Sequence, residues 1–241
     1  KVERGDRVFP ESDKSSDIIK AFNTNLKNKN VKIMLNSKVK KLIRDNQKIV
    51  GVELADGNSV YGDYFILCTG GLSYPQTGSS GEGLTYAHFL GHNIIKPRPS
   101  LVPIEVQEEW IRDLQGLSLK NVELRITDSK NKSIYKEFGE MLFTHYGISG
   151  PIVLSGSSFV KDGEKLKIFI NLKPALSENE LDKRLQSDFL IYANKDFKNS
   201  LNDLLPSKLI NTIIQLSKID EYKKVNSITK EERKTLVNLL Q

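Results

Sequence analysis

Between Thr69 and Gly83, glycines recur at positions 70, 71, 78, 81 and 83. Glycine lets the backbone approach a ligand closely and adopt conformations closed to other residues. Peptide N–H groups freed in this way, just ahead of a helix that the pattern starts near Glu82, make a natural seat for an anion such as a cofactor pyrophosphate. The plainer alternative is a Gly/Ser connector with no ligand. No Lys-Ser or Lys-Thr follows the glycines, so the stretch is not a Walker A loop. Nor does a Gly-x-Gly-x-x-Gly turn, the usual first phosphate site of a dinucleotide fold, occur anywhere in the chain.

Other chemistry-bearing side chains are few. His145 lies in Phe143-Thr144-His145-Tyr146-Gly147-Ile148-Ser149-Gly150-Pro151. Its imidazole titrates near neutrality and is the candidate general acid or base, although a hydrogen bond holding the following turn is the simpler expectation. Ser149-Gly150-Pro151 also reads as a helix start. His88 and His92 are four residues apart with no third ligand near them, so they read as helix-end residues rather than a metal site. Cys68 closes an apolar run and is expected to be an inert core thiol. Gly147-Ile148-Ser149-Gly150 lacks the order of a nucleophile elbow. No metal site is expected, and no catalytic residue is assigned beyond His145 as a candidate.

The elements that must position these residues are legible from periodicity. Ser15 or Ser16 can cap a helix to about Asn28, with Ile18, Ile19, Phe22 and Leu26 on one face. Val31 to Leu35 reads as a short strand. Val39–Ile43 and Ile49–Leu54 alternate apolar and polar residues, with turns at Asn46-Gln47 and Asp56-Gly57 and a continuation at Val60-Tyr61. Tyr64 to Cys68 is almost purely apolar, the mark of a strand buried on both faces. The order of helix, strand, meander, buried strand, glycine loop and helix is α/β nucleotide-binding grammar. After Pro97, strands are expected at Leu101–Val106, Val122–Thr127, Ile134–Glu137, Met141–Thr144 and Leu166–Leu172, with a short helix from Pro151. From Ser177 the chain turns helical, with capping-box spacing at Ser177/Glu180 and Thr229/Glu232. Three domains are expected, over residues 1–97, 98–174 and 175–241.

Composition limits the function classes. The 241 residues are 38% hydrophobic and 27% charged, with a single cysteine, which excludes an internal disulfide and a multi-cysteine zinc site. No apolar stretch approaches a membrane span, no signal sequence is visible, and a cytoplasmic location is expected. The net charge of +6 is concentrated at the front, with 13 Lys and Arg against 6 acids in residues 1–50. That basic segment could favour an anionic cofactor or meet nucleic acid. No recognition helix, RNP-type aromatic motif or zinc finger is present, so the sequence argues against nucleic acid as a partner. A non-catalytic module that recognises an anionic partner such as RNA remains the alternative reading.

Three segments occur in order: Gly5-Asp6-Arg7-Val8-Phe9-Pro10-Glu11-Ser12-Asp13-Lys14, then Thr69 to Gly83, then Phe143 to Pro151. Together they resemble the BaiN/YhiN-like, aminoacetone-oxidase-like FAD-binding enzymes over essentially the whole chain. The resemblance implies an α/β multidomain fold: a two-dinucleotide-binding FAD domain with an inserted mostly-β, barrel-like domain and a small helical domain. It also implies that this chain is the central part of such a protein, without the upstream βαβ unit or the downstream flavin-closing segment. The implied activity is FAD-dependent oxidoreduction of a small molecule, either amine oxidation or carbon–carbon double-bond reduction, and NAD(P)H as electron donor is compatible with it. The cofactor-binding positions it implies are Arg7, Phe9 and Pro10 toward the flavin side and Val39 at the adenine. It adds Thr69, Gly70 and Gly71 at the phosphates, and Thr77, Gly78, Ser79, Gly81 and Gly83 in the loop beside the cofactor.

Overall fold

The computed structural model describes residues 1–3, 6–161 and 163–241. Gly5 of the first motif lies outside them. The chain divides into two compact units, Lys1–Pro97 and Arg98–Gln241.

In the first unit, β1 (Val2–Glu3) pairs with β2 (Arg7–Val8), and α1 (Ser15–Asn28) follows. The expected meander forms as β3 (Val39–Asp45), β4 (Lys48–Leu54) and β5 (Ser59–Tyr61), all antiparallel. The Asp56 carboxylate accepts the Asn58 N–H at 3.0 Å and its side-chain amide at 2.9 Å, which fixes the second turn. α2 (Glu82–Phe89) closes the unit after the glycine loop.

Two expected strands do not form. Val31–Leu35 and Tyr64–Cys68 have no ladder partner, and they are exposed, Tyr64 to 93% and Ile66 to 89%. An apolar run becomes a buried strand only when neighbours take its N–H and C=O groups and layers cover its faces. Among the described residues neither condition is met. α1 has the same character: it buries no residue, and Ile18, Ile19 and Phe22 face outward. Cys68, expected in a core, is exposed for this reason.

The second unit is built on one antiparallel sheet. Its strands are β6 (Ile104–Glu105), β7 (Ser118–Thr127), β8 (Ser133–Phe143), β9 (Gly147–Ser149) and, after helix α3 (Pro151–Ser157), β10 (Lys167–Asn171), in the spatial order β10-β7-β8-β9-β6. The two strands expected at 134–137 and 141–144 are one strand of 11 residues. Gly139 at their junction is no turn: a Cβ there would stand 2.6 Å from Ile152 Cγ2, so glycine allows α3 to lie against the strand. The strand expected at 101–106 shrinks to Ile104–Glu105. Leu101 has φ of 55°, and Pro103 carries no N–H to donate.

Leu119, Val122, Leu124, Ile126 and Met141 from one sheet face join Leu181, Leu185, Ile213, Leu236 and Leu240 in a single core. Those leucines and isoleucines come from α4 (Glu178–Ile191), α5 (Ser207–Ser217) and α6 (Lys230–Leu240). Both capping boxes form: the Glu180 carboxylate accepts from Ser177 N–H at 2.8 Å and that of Glu232 from Thr229 N–H at 2.7 Å. Arg233 on α6 donates to Asp182 on α4 at 2.5 Å. Among the described residues, no helix is long and apolar enough to cross a membrane.

Two outcomes follow. Expressed separately, residues 98–241 should unfold in one cooperative thermal transition, whereas residues 1–97 should bind a hydrophobic dye such as ANS and melt without a sharp transition. The Arg233 guanidinium holds the Asp182 carboxyl below the usual carboxylate range. Stability from this pair is therefore complete above that range and is lost as pH falls through the depressed value. Arg233→Gln should cost about 1 kcal/mol near pH 7, and the gap to the wild type should close at about pH 2. Urea titrations at both pH values measure it.

Candidate cofactor site

The Thr69–Gly83 loop is ordered by its own contacts. Pro75–Thr77 forms a single 3₁₀ turn, in which the Thr77 hydroxyl donates to Tyr74 C=O at 2.7 Å and Gly78 N–H to Pro75 C=O at 3.0 Å. Three glycines serve the loop itself. A Cβ on Gly70 would stand 2.6 Å from the half-buried Ser79 Oγ, one on Gly81 would stand 2.5 Å from Leu72 Cδ2, and one on Gly83 would overlap Thr69 Oγ1. Gly71 and Gly78 differ. Nothing lies within 4 Å of where their Cβ atoms would be, so these two backbone edges are open to an incoming group.

Val39 opens β3 beside this loop. Its carbonyl accepts the Tyr86 hydroxyl at 2.8 Å. Burial and then the Glu82 charge push the Tyr86 phenol up from its ordinary pKa. Lys38 meets the Glu82 carboxylate at 2.8 Å, and this contact raises the lysine pKa. Lys38, Val39, Lys40, Ala55, Glu82, Thr85 and Tyr86 line a cavity of about 340 Å³. The ADP part of a dinucleotide fits what is present: open glycine edges, a cavity floored by Val39, and two lysines at its rim. The Glu82 carboxylate stands at the start of α2, where it would oppose a phosphate, and Lys38 offsets that charge.

Arg7, Phe9 and Pro10 sit in the N-terminal hairpin. Phe9 N–H donates to Lys1 C=O at 2.9 Å, and Pro10 C=O accepts from Asp13 N–H at 3.0 Å. His145 is in the other unit, at the tip between β8 and β9. It is exposed, with its ring edge-on to Tyr146 at 4.6 Å. The Gly147–Pro151 stretch it was expected to hold as a turn is β9 and the start of α3, and the loop that carries His145 is closed by Thr144, whose N–H donates to Gly147 C=O at 2.8 Å and whose hydroxyl accepts Gly147 N–H at 3.1 Å. The sequence reading missed Tyr86 and Glu82. Both lie on one face of α2, four residues apart, and that spacing was the available signal.

Gly83→Ala should disrupt the docking of α2 on Thr69. The expected result is a fall of about 1–3 kcal/mol in stability and loss of Tyr86 protection, read by hydrogen exchange in 81–89; Gly78→Ala, strained only by its φ of 101°, should cost less.

Comparison with known proteins fits this arrangement. The HI0933-like protein Rossmann domain matches residues 1–151, and the HI0933-like protein barrel and H2TH domain matches residues 98–241. Among curated relatives, the ribosomal RNA dihydrouridine synthases of Escherichia coli K12 and Haemophilus influenzae are 33% and 32% identical over 80% and 87% of this chain. A 3-dehydro-bile acid delta(4,6)-reductase of Clostridium scindens is 26% identical over 90% of it. The chain spans about half the length of these relatives, 46%, 50% and 53% respectively. With both family domains matched in chain order, and with a glycine loop and cavity that suit a dinucleotide, the chain belongs to the HI0933-like family of FAD-dependent oxidoreductases.

Proposed function

We propose that the whole protein binds FAD and reduces a carbon–carbon double bond, and that the substrate is a uridine ring in RNA. The observations that carry the cofactor reading are the glycine-rich loop, with open space at Gly71 and Gly78, and the cavity that Val39 lines with Glu82 and Tyr86 of α2, the helix that follows the loop. The names of the relatives support the reaction class. One is a reductase, and a dihydrouridine synthase makes a uridine whose ring double bond has gained two hydrogens. The two relatives named for ribosomal RNA are also more similar to this chain than the bile-acid enzyme, which makes a small apolar substrate the second reading.

Bound FAD, when reduced, supplies the hydride for such a reaction. The residues of this chain hold the other end of the cofactor. The Gly71 edge of the glycine loop would receive the pyrophosphate, the Gly78 N–H being held by Pro75 C=O. The Val39 backbone would meet the adenine edge, with Tyr86 already fixing its carbonyl. Lys38 would neutralise Glu82 at the rim, and Lys40, which shares Glu53 with Lys41, would leave that cluster with a net positive charge.

The purified whole protein should carry flavin absorbance and fluorescence, or take up added FAD. A colourless protein that takes up none would overturn the proposal. Residues 1–241 by themselves, with no Gly-x-Gly-x-x-Gly turn, should bind FAD weakly or not at all by titration calorimetry. In the whole protein Lys38→Glu sets two like charges at the start of α2 and should weaken FAD uptake several-fold, while Lys96→Glu, outside the cavity, should not.

A further inference from the structure

The outer face of the five-stranded sheet carries a pattern that neither the core nor the cofactor site uses. β7 alternates, with Leu124 and Ile126 buried and Glu123 and Arg125 pointing away. Its partners place two rows of side chains on that outer face. In one, Phe169 of β10, Arg125 of β7 and Lys136 of β8 stand opposite one another. In the next, Asn171, Glu123 and Phe138 do the same. Phe138 is 56% exposed and Phe169 39%. The Arg125 guanidinium lies over the Phe169 ring, 4.5 Å from its centroid. Lys136 reaches Glu123 at 2.9 Å. Lys167, opposite Thr127, extends the same face, and Glu140 lies two residues beyond Phe138 on it.

Two features point to a ligand. Two aromatic rings lie on this face outside the core, Phe138 exposed between Lys136 and Glu140 along its strand and Phe169 under the Arg125 guanidinium. Arg125 and Lys136 are also directly opposed across the ladder, and like charges so placed repel. Glu123 answers Lys136 at 2.9 Å, and an anion above Arg125, whose guanidinium lies on the Phe169 ring, would offset the charge that remains. A phosphodiester backbone with flat bases satisfies both at once: bases stack on phenyl and guanidinium planes while phosphates meet the cations. The Phe138 and Phe169 Cα atoms are two strand spacings and one two-residue step apart, about 12 Å, close enough for one extended strand to lay bases on both.

We infer that the outer face of β10-β7-β8 is a docking platform for a single-stranded segment of RNA, with Phe138 and Phe169 as stacking residues and Arg125, Lys136 and Lys167 as phosphate contacts. This deepens the reading of RNA as the substrate above and rests on it. It adds where the RNA would be gripped, through side chains remote in sequence from the glycine loop.

The test uses the whole protein and a fluorescein-labelled single-stranded RNA of mixed sequence, followed by anisotropy at two salt concentrations. Heparin and a duplex RNA of equal length serve as competitors. The double variant Phe138→Leu/Phe169→Leu keeps apolar bulk but loses the rings, and it should weaken binding about tenfold or more. Arg125→Gln/Lys136→Gln should weaken binding and flatten its salt dependence. Thermal midpoints should stay within a few degrees of the wild type, and flavin content should be unchanged in all variants. Binding that the ring variants leave intact, or that heparin removes as easily as unlabelled single strand does, would overturn the platform. So would a wild type with no RNA affinity but normal flavin, a result that leaves the reductase reading standing. Ring-dependent RNA binding by a colourless protein would do the reverse. Aggregation of the charge variants, with the ring variants restoring solubility and RNA binding unaffected, would mark the face as a protein contact and also overturn the proposal.

Discussion

The β7–β8 ladder is the interaction on which the second unit depends. Its register runs from Ser118 opposite Leu142 to Thr127 opposite Ser133. Because side chains alternate, that one register decides two surfaces at once. It turns Leu124, Ile126 and Met141 toward α3, α4, α5 and α6, and it turns Arg125, Lys136 and Phe138 outward. A slip of one residue would expose the core row and bury the charged one, so the core enforces the outer pattern. The irregularities in the ladder, between Leu119 and Val122 and between Ile126 and Thr127, lie near its ends and leave the central rows in line.

The first unit lacks such a constraint. Its meander is well paired, and salt bridges from Lys40 and Lys41 to Glu53 hold the edge of β3 to β4. Beyond the meander, however, α1, Val31–Leu35 and Tyr64–Cys68 present exposed apolar side chains, and none of their residues is buried. The glycine loop is kept in shape by the 3₁₀ turn and the Thr69–Gly83 contact, and α2 after it is tied to β3 by the Tyr86–Val39 hydrogen bond. The candidate cofactor site therefore rests on a few individual contacts, and nearly all of the buried apolar core lies in the other unit.

Much of this was legible in the sequence. Both capping boxes, the two turns of the meander, the start of α3 at Pro151 and the glycine loop each depend on residues within a few positions of one another. Local chemistry is sufficient for these. What failed had a common cause. Tyr64–Cys68 has the composition of a buried strand, but a strand is a relation between segments, and composition cannot supply the partner. The two strands expected at 134–137 and 141–144 are one, because the role of Gly139 between them, making room for Ile152, lies across the fold.

The chain by itself thus determined its family, most of its helices and hairpins, and its glycine-rich loop, since these follow from short-range spacing and ordered motifs. Only the tertiary structure decided that Gly147–Ser149 is a strand paired with Ile104–Glu105, that Tyr86 fixes Val39, and that Phe138 and Phe169 share a face with Arg125 and Lys136. The physical reason is the same in each case. Strand register and helix docking bring together residues tens of positions apart, and a linear pattern carries no record of that distance.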